Sequence, residues 1–342
     1  MINKLRNNKV FFIAEAGVNH NGDINLAIEM VKLAKKAGAD CIKFQAFSLK
    51  NLVSKEAKSA DYQKAAVGSK LQWKVLEKLQ LQKNHYKKLI IECNNNNIEF
   101  LCTAFDEKWL EYLVSIGMKK IKIPSGEINN IPLLKNAASY NLNIILSTGM
   151  STMKEVRRAL KEIKSINDKI EVNLLHCTSL YPAPYNSLNL NAIKQLMNKK
   201  PDTSVGYSDH SLGNLASIAA VAMGAKIIEK HFTLDKKLEG PDHKASVNYN
   251  ELKKLITDIR NLEQSLGTGE KVPDVRELKT ASVARKSWHS KKKILKNHKI
   301  KSSDVHLIRP GTGIPGSINI IGKVSSVDIN NGCLIEKEWL LS

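Results

Sequence analysis

The chain has 342 residues, 42 % of them apolar and 25 % charged, enough by length for two domains and by composition for a sizeable core. No stretch approaches the roughly 20 apolar residues of a membrane span, and the short apolar run near the N-terminus is interrupted by Glu15, so a first strand in a cytosolic protein is expected rather than a signal or membrane segment. The net charge of +20 raises nucleic acid as a partner, but the excess is mostly lysine spread on helical faces (Lys32, Lys35, Lys36) with few aromatics interleaved, so no nucleic-acid partner is expected and an anionic small substrate is the better match.

Along the chain, short apolar runs alternate with amphipathic segments. The runs lie at 10–17, 41–47, 98–105, 119–126, 143–150, 172–179, 203–209 and 225–232. Most are rich in β-branched residues and largely apolar, which predicts strands buried on both faces. The segment 24–39 places Leu26, Ile28, Met30, Val31, Leu33 and Ala34 on a helical pattern and stops at Gly38. Further helices are predicted at 84–96, 106–116, 130–140, 151–165, 188–198, 212–224 and 248–266, with Asp106, Ser151 and Asn248 as N-caps. Eight strand–helix units predict an α/β fold, a TIM (β/α)8 barrel over residues 1–266. The rival is a doubly wound sheet, whose GxGxxG fingerprint is absent. Residues 267–282 mix glycine, proline and charge and read as a linker. Residues 283–342 carry short β-like runs and turn signals, as in a small, mostly β domain. The five cysteines are scattered and lack metal-ligand spacing, so buried thiols are expected.

Barrel chemistry sits at the C-terminal ends of the strands. Those ends supply Glu15, Lys43, Gln45, Thr103, Lys122, Ser125, Glu127, Ser147, Ser179, Ser208, His210 and His231. Lys43 (CIKFQ) and Lys122 (IKIPSGE) each lie between apolar neighbours. A lysine there is costly to bury without an anion, unless it snorkels outward. Two of them, each followed by polar groups, point to a phosphate or carboxylate site to which Ser125, Ser147 and Ser208 add hydrogen bonds. His210 and His231 end the seventh and eighth runs. Adjacent parallel strands would let them share a divalent ion; two unrelated polar histidines are the alternative. A strand lysine also admits a Schiff-base aldolase with Lys43 or Lys122 as nucleophile, but that chemistry needs no metal and leaves the histidine pair unexplained.

The motifs IAEAGVNHNGD at 13–23, GADCIKFQAF at 38–47, KIPSGEINNIP at 122–132, ILSTGM at 145–150, LLHCTSLYPAPY at 174–185, VGYSDHSLG at 205–213, GAKIIEKHFTLDKKLEGPDHKAS at 224–246 and RPGTGI at 309–314 occur in this order. The series resembles the N-acetylneuraminate (sialic acid) synthases and their close relatives that make legionaminic acid. The resemblance implies a TIM barrel followed by an antifreeze-like (SAF) domain at 283–342. It also implies a domain-swapped homodimer, in which the small domain of one copy covers the barrel mouth of the other and offers Arg309, or less securely Arg285, to the sugar. The implied reaction condenses phosphoenolpyruvate with N-acetylmannosamine, or a related acetamido sugar, to give N-acetylneuraminate and phosphate by C–O cleavage. The alternative is N,N'-diacetyllegionaminate synthesis from 2,4-diacetamido-2,4,6-trideoxymannose. The AEAGVNHNG stretch differs from the pseudaminic branch.

The same resemblance matches the metal histidines to His210 and His231, which would hold Mn2+ or Mg2+. Glu127 matches a glutamate that manages the proton of the attacking water, and Glu15 a second active-site glutamate. Lys43, Lys122, Ser125, Ser147 and Ser208 match positions that hold phosphoenolpyruvate, and Ser179 stands where some members carry Asn. Gln45, Thr103, Tyr181 and Asp242 match sugar-side positions. His20 and His176 receive no metal role. The segment 59–81 resembles both branches, and substrate choice is expected to rest in such loops. A non-enzymatic carbohydrate-binding module, built on residues 283–342 and the basic charge, is the remaining alternative.

Overall fold

The apolar runs pair in chain order. The computed structural model describes residues 9–59, 64, 68–69, 71–199 and 203–341. Strands β1 (Phe11–Gly17), β2 (Cys41–Ala46), β3 (Glu99–Ala104), β4 (Ile121–Ile123), β5 (Ile144–Ser147), β6 (Val172–Cys177), β7 (Val205–Asp209) and β8 (Ile227–His231) form one closed barrel. Every pairing is parallel, and β8 returns to β1 with His231 opposite Glu15. This is the parallel barrel that the periodicity predicts. Strands β4, β5, β7 and β8 are buried along their whole length, which is why they read as continuous apolar runs.

Helices cover the barrel: α1 (Ile24–Ala37), α2 (Leu49–Leu52), α3 (Gln72–Glu77), α4 (Lys83–Asn95), α5 (Glu107–Ser115), α6 (Ile131–Ser139), α7 (Met153–Ile166), α8 (Asn191–Lys199), α9 (Leu215–Ala222) and α10 (Tyr249–Ser265). α1 buries Ala27, Met30, Val31, Ala34 and Ala37, a stripe at helical spacing that faces the sheet. Asp23 caps its start by accepting from the Asn25 amide, and Gly38, at φ +97°, ends it. Asp106 and Asn248 cap α5 and α10 as expected. The cap expected at Ser151 is Thr152 instead, because Glu155 three residues later closes a capping box with it. The sequence reading places no helix at α2 or α3; both are too short to show a period. Within the 59–81 segment, residues 60–63, 65–67 and 70 lie outside the described residues.

Neighbouring strand residues alternate between the barrel interior and the helix layer. Asp209 and Lys230 are paired in register on β7 and β8 and take the helix side. Their buried ion pair spans 2.9 Å. Asp209 also accepts from Ser217 Oγ on α9 at 2.6 Å and from the Ser211 amide and hydroxyl at 2.9 and 2.7 Å, while Lys230 donates to the Ser211 carbonyl at 2.6 Å. The network ties two strand ends together directly behind His210 and His231. Removing one partner of a buried pair strands the other charge, so Asp209→Ala is expected to destabilise the fold by about 3–5 kcal/mol in urea denaturation. A loss below about 1 kcal/mol, the size of an ordinary hydrogen bond, would show the pair to be dispensable.

The chain divides into two compact units, Met1–Gly267 and Thr268–Ser342. In the second unit, α11 (Val275–Ala284) occupies much of the segment read as a linker, and none of its residues is buried. Strands β9 (Ser287–Ser290) and β10 (Val305–Ile308) pair antiparallel, as do β11 (Val324–Ser325) and β12 (Leu340–Leu341). Ile294, Ile300, Val305, Ile314, Ile320, Ile329 and Ile335 form the small core of this unit. Among the described residues no helix is long and apolar enough to cross a membrane.

Candidate active site

A cavity of about 480 Å³ opens at the C-terminal ends of the strands. Glu15, Lys43, Gln45, Thr103, Lys122, Ser125, Ser147, Ser179, Tyr181, Ser208, His210, His231 and Asp242 all line it. Glu127 is not among the lining residues, and Arg309 is expected at a partner copy's barrel rather than at this one. Glu127 lies in a 3-10 turn after β4, half-buried, with its carboxylate accepting from Asn130 Nδ2 at 2.7 Å. Arg309 belongs to the second unit, where its Nε donates to the Ala284 carbonyl at 2.9 Å. His20 and His176 are outside the lining as well.

The strand register places a charged layer across the cavity floor. Glu15 pairs with Lys43, Thr103 with Lys122, and Ser208 with Glu229. A bulge in β1 between Glu15 and Gly17 breaks the ladder at this point, a common device for aiming a side chain at a site. Lys43 Nζ lies 2.7 Å from Glu15 Oε2 and 3.8 Å from Glu229 Oε2, and donates to Thr103 Oγ1 at 3.1 Å. Gln45 donates to Glu15 Oε1 at 3.1 Å. Lys122 donates to Ser147 Oγ at 2.7 Å; among the described residues its ion-pair contact is Glu229 Oε1, at 3.8 Å. Ser208 donates to the same Glu229 oxygen at 2.9 Å.

These four charges are almost fully out of water, at 1 to 4 % exposure. Burial opposes every ionisation here, and the neighbours decide the outcome. Burial pushes Glu15 up to about 7 against the pull of Lys43. Burial acts the same way on Glu229, but Lys122, Lys43 and the Ser208 hydroxyl overcome it and hold that carboxylate down at about 2. Lys43 stays above its ordinary value because Glu15 and Glu229 outweigh burial. Lys122 falls below its ordinary value because burial outweighs the more distant Glu229. Lys122 is therefore the ammonium that an incoming anion would relieve most.

Hydroxyls surround this ammonium. Ser147 Oγ accepts from Lys122, which leaves its own proton to donate. Ser125 Oγ accepts from the Gly149 amide at 2.9 Å and contacts Cys177 Sγ at 3.1 Å. A Cβ on Gly149 would fall 2.4 Å from Ser179 Oγ, 2.8 Å from Ser125 Oγ and 2.9 Å from Cys177 Sγ. Only glycine lets these three side chains converge.

The histidine pair lines the same cavity. The His210 and His231 ring centroids are 5.6 Å apart, and the Tyr181 ring stands 4.2 Å from His210 and edge-on to His231. His210 Nδ1 faces the Thr178 carbonyl at 2.7 Å; a carbonyl only accepts, so the proton is on Nδ1 and Nε2 carries a lone pair. Burial holds His210 below the usual histidine value and, with His210 beside it, holds His231 well below. Both rings are neutral at pH 7. His231 Nδ1 is buried without a hydrogen-bond partner among the described residues, and Asp242 Oδ2 is 3.9 Å away. Burial raises the Asp242 carboxyl to about 6.

The comparison with known proteins decides the family: residues 30–271 match the model of the NeuB family. The chain belongs to the NeuB family. It is 46 % identical over 330 residues to the N,N'-diacetyllegionaminic acid synthase of Legionella pneumophila, covering 94 % of this chain and 92 % of that one. It is 44 % identical over 334 residues to the enzyme of the same name from Campylobacter jejuni, covering 96 and 99 %. Among solved structures, the N-acetylneuraminic acid (sialic acid) synthetase of Leptospira borgpetersenii, determined with citrate, superposes with a TM-score of 0.72 at 38 % identity, covering 80 % of this chain and 90 % of that one. The cavity is thus the mouth of a barrel in a family of enzymes.

Among the lining residues of this NeuB-family barrel that escape the sequence reading are Glu229 and Cys177. Glu229 had a signal. It precedes His231 by two residues in IIEKH, and residues two apart in a strand share a face. Cys177 reads as a buried thiol, and it is one, with burial raising its thiol above the ordinary value.

Proposed function

We propose that the chain is an N,N'-diacetyllegionaminate synthase that condenses phosphoenolpyruvate with 2,4-diacetamido-2,4,6-trideoxymannose and releases phosphate. The carrying observation is Lys122, a buried and undercompensated ammonium set beside Lys43 in a hydroxyl-lined cavity. A doubly anionic three-carbon substrate meets both lysines at once. Ser147, which accepts from Lys122, has a proton to donate to its phosphate or carboxylate oxygens. Held this way, the vinyl carbon attacks the sugar aldehyde and a carbon–carbon bond forms. The adjacent carbon takes up water, and the tetrahedral intermediate expels phosphate by C–O cleavage. The resemblance gives the water's proton to Glu127. Glu15 and Asp242, raised by burial toward neutral pH, are two further carboxyls able to carry a proton.

The donor set fits a divalent ion. Two neutral imidazoles line the cavity, one with a lone pair fixed at Nε2 and the other with a buried Nδ1 that has no hydrogen-bond partner among the described residues. Among the described residues no group of three or more His, Cys, Asp or Glu is arranged to hold a metal, so His210 and His231 would hold Mn2+ or Mg2+ together with water or the sugar. Such an ion would polarise the sugar carbonyl. The antifreeze-like identity of the second unit, the homodimer and the reach of Arg309 to a partner's sugar belong to the same proposal and rest on the resemblance. The aldolase reading suffers for Lys43, which is held protonated between two carboxylates, and with either lysine it leaves the histidine pair unexplained.

The legionaminic branch takes precedence over the N-acetylneuraminate branch through the identities of 46 and 44 % to enzymes of that name. Incubation with phosphoenolpyruvate, Mn2+ and each sugar in parallel is expected to release phosphate with a kcat/KM about tenfold or more higher for the diacetamido sugar than for N-acetylmannosamine. A preference for N-acetylmannosamine would move the assignment to that branch. No phosphate with either sugar would sink both.

A further inference from the structure

The cavity is lined asymmetrically. Its serine hydroxyls and imidazoles come from β4 to β8 and the loops that follow them, while β1 to β3 contribute Glu15, Lys43, Gln45 and Thr103 to the floor. In the segments that follow β1 to β3, five apolar residues line the cavity beside Gln72: Val18, Phe47, Leu52, Leu76 and Phe105. These five are more than stray contacts. They pack with Val75 and Leu79 in a hydrophobic cluster separate from the barrel core. Phe47 and Phe105 directly follow β2 and β3, and their rings meet edge to face at 6.3 Å. Leu52 ends α2, and Leu76 sits on α3. Both helices lie between β2 and α4. A packed apolar wall beside a charged floor has a consequence for what can bind.

We propose that Phe47, Leu52, Leu76 and Phe105 form a specificity wall that receives the deoxy terminus of the acceptor sugar. The inference rests on the synthase reading and adds the physical reason for its sugar branch. A sugar ending in CH3 buries that methyl against the wall. A sugar ending in CH2OH must strip water from a hydroxyl that these four apolar side chains cannot satisfy. An apolar wall rejects an added hydroxyl only moderately, by about 10- to 100-fold, so the wall supports a preference rather than an absolute barrier. The lysines and serines lie outside the wall, so the phosphoenolpyruvate end of the cavity does not depend on it.

The test compares the wild type with Leu52→Gln and Phe105→Tyr, using 2,4-diacetamido-2,4,6-trideoxymannose and N-acetylmannosamine as acceptors and phosphate release as the signal. Phe105→Tyr adds one hydroxyl at nearly constant volume and guards against a folding defect in the other variant. Each variant is expected to shift the ratio of kcat/KM values toward N-acetylmannosamine by about tenfold, mainly through the KM of the sugars, with the KM for phosphoenolpyruvate unchanged. If both sugars lose or keep kcat/KM in parallel, the wall has no selective role and the inference falls while the synthase reading stands. If the wild type releases no phosphate with either sugar, the synthase reading falls and takes the inference with it.

Discussion

Glu229→Ala is expected to cost about 3–5 kcal/mol of stability, the penalty for removing one side of a buried ionic cluster. The reason is positional. Glu229 stands 3.8 Å from both Lys43 and Lys122 and is anchored by the Ser208 hydroxyl at 2.9 Å. Without it Lys43 keeps Glu15 at 2.7 Å, whereas Lys122 keeps the Ser147 hydroxyl and a long contact to the Ile123 carbonyl. The stranded ammonium then either stays charged at a high cost or loses its proton, for which burial has already prepared it. Chemical denaturation should show a lower midpoint. Phosphoenolpyruvate should recover more of the thermal midpoint in the variant than in the wild type, because its charge replaces the missing carboxylate. Glu229→Gln, which retains the shape but not the charge, should fall between the two. A loss below about 1 kcal/mol, with no differential rescue by the anion, would show that Glu229 does not compensate the lysines.

His210→Ala is expected to reduce kcat/KM by roughly 100-fold or more, since electrophilic assistance to the carbonyl is worth several kcal/mol and each 1.36 kcal/mol is tenfold. The fold should survive. His210 contributes a hydrogen bond to the Thr178 carbonyl, a long 3.4 Å contact to Ser208 Oγ and its packing against Tyr181, together worth about 1–2 kcal/mol. Loss of turnover should therefore come without a matching loss of thermal midpoint. Mn2+ binding measured by equilibrium dialysis should weaken in parallel, and chelation should silence the wild type. Undiminished turnover after exhaustive chelation, or undiminished Mn2+ binding by the variant, would overturn the assignment of this pair.

Much of the architecture is local information. The near-continuous apolar strands, the stripe on α1 and the caps at Asp106 and Asn248 follow from periodicity and from the hydrogen bonds that helix ends require. The strand ends could be inspected for chemistry because a barrel gathers them at one mouth. That logic finds Lys43, Lys122, His210 and His231 without coordinates, and all four line one cavity. It places Glu127 only roughly, because a strand end and the turn after it look alike in a one-dimensional string. β4 is only three residues long, so the chain turns before Glu127 and ties it to Asn130.

What the sequence by itself determined is the inventory: eight buried strands, lysines that need an anion, histidines at two adjacent strand ends and the family they mark. Only the tertiary structure decided how those charges compensate one another. Barrel closure brings β8 beside β1 and places Glu229 within reach of lysines 186 and 107 positions earlier in the chain, so Lys43 is doubly neutralised and Lys122 is left short. The apolar wall is decided in the same way, because α2 and α3 are too short to announce a face and acquire one only by packing on Phe47 and Phe105. Secondary structure is set by neighbours within a few residues, but charge and specificity in a cavity are set by distance in space, and closure of the barrel fixes those distances.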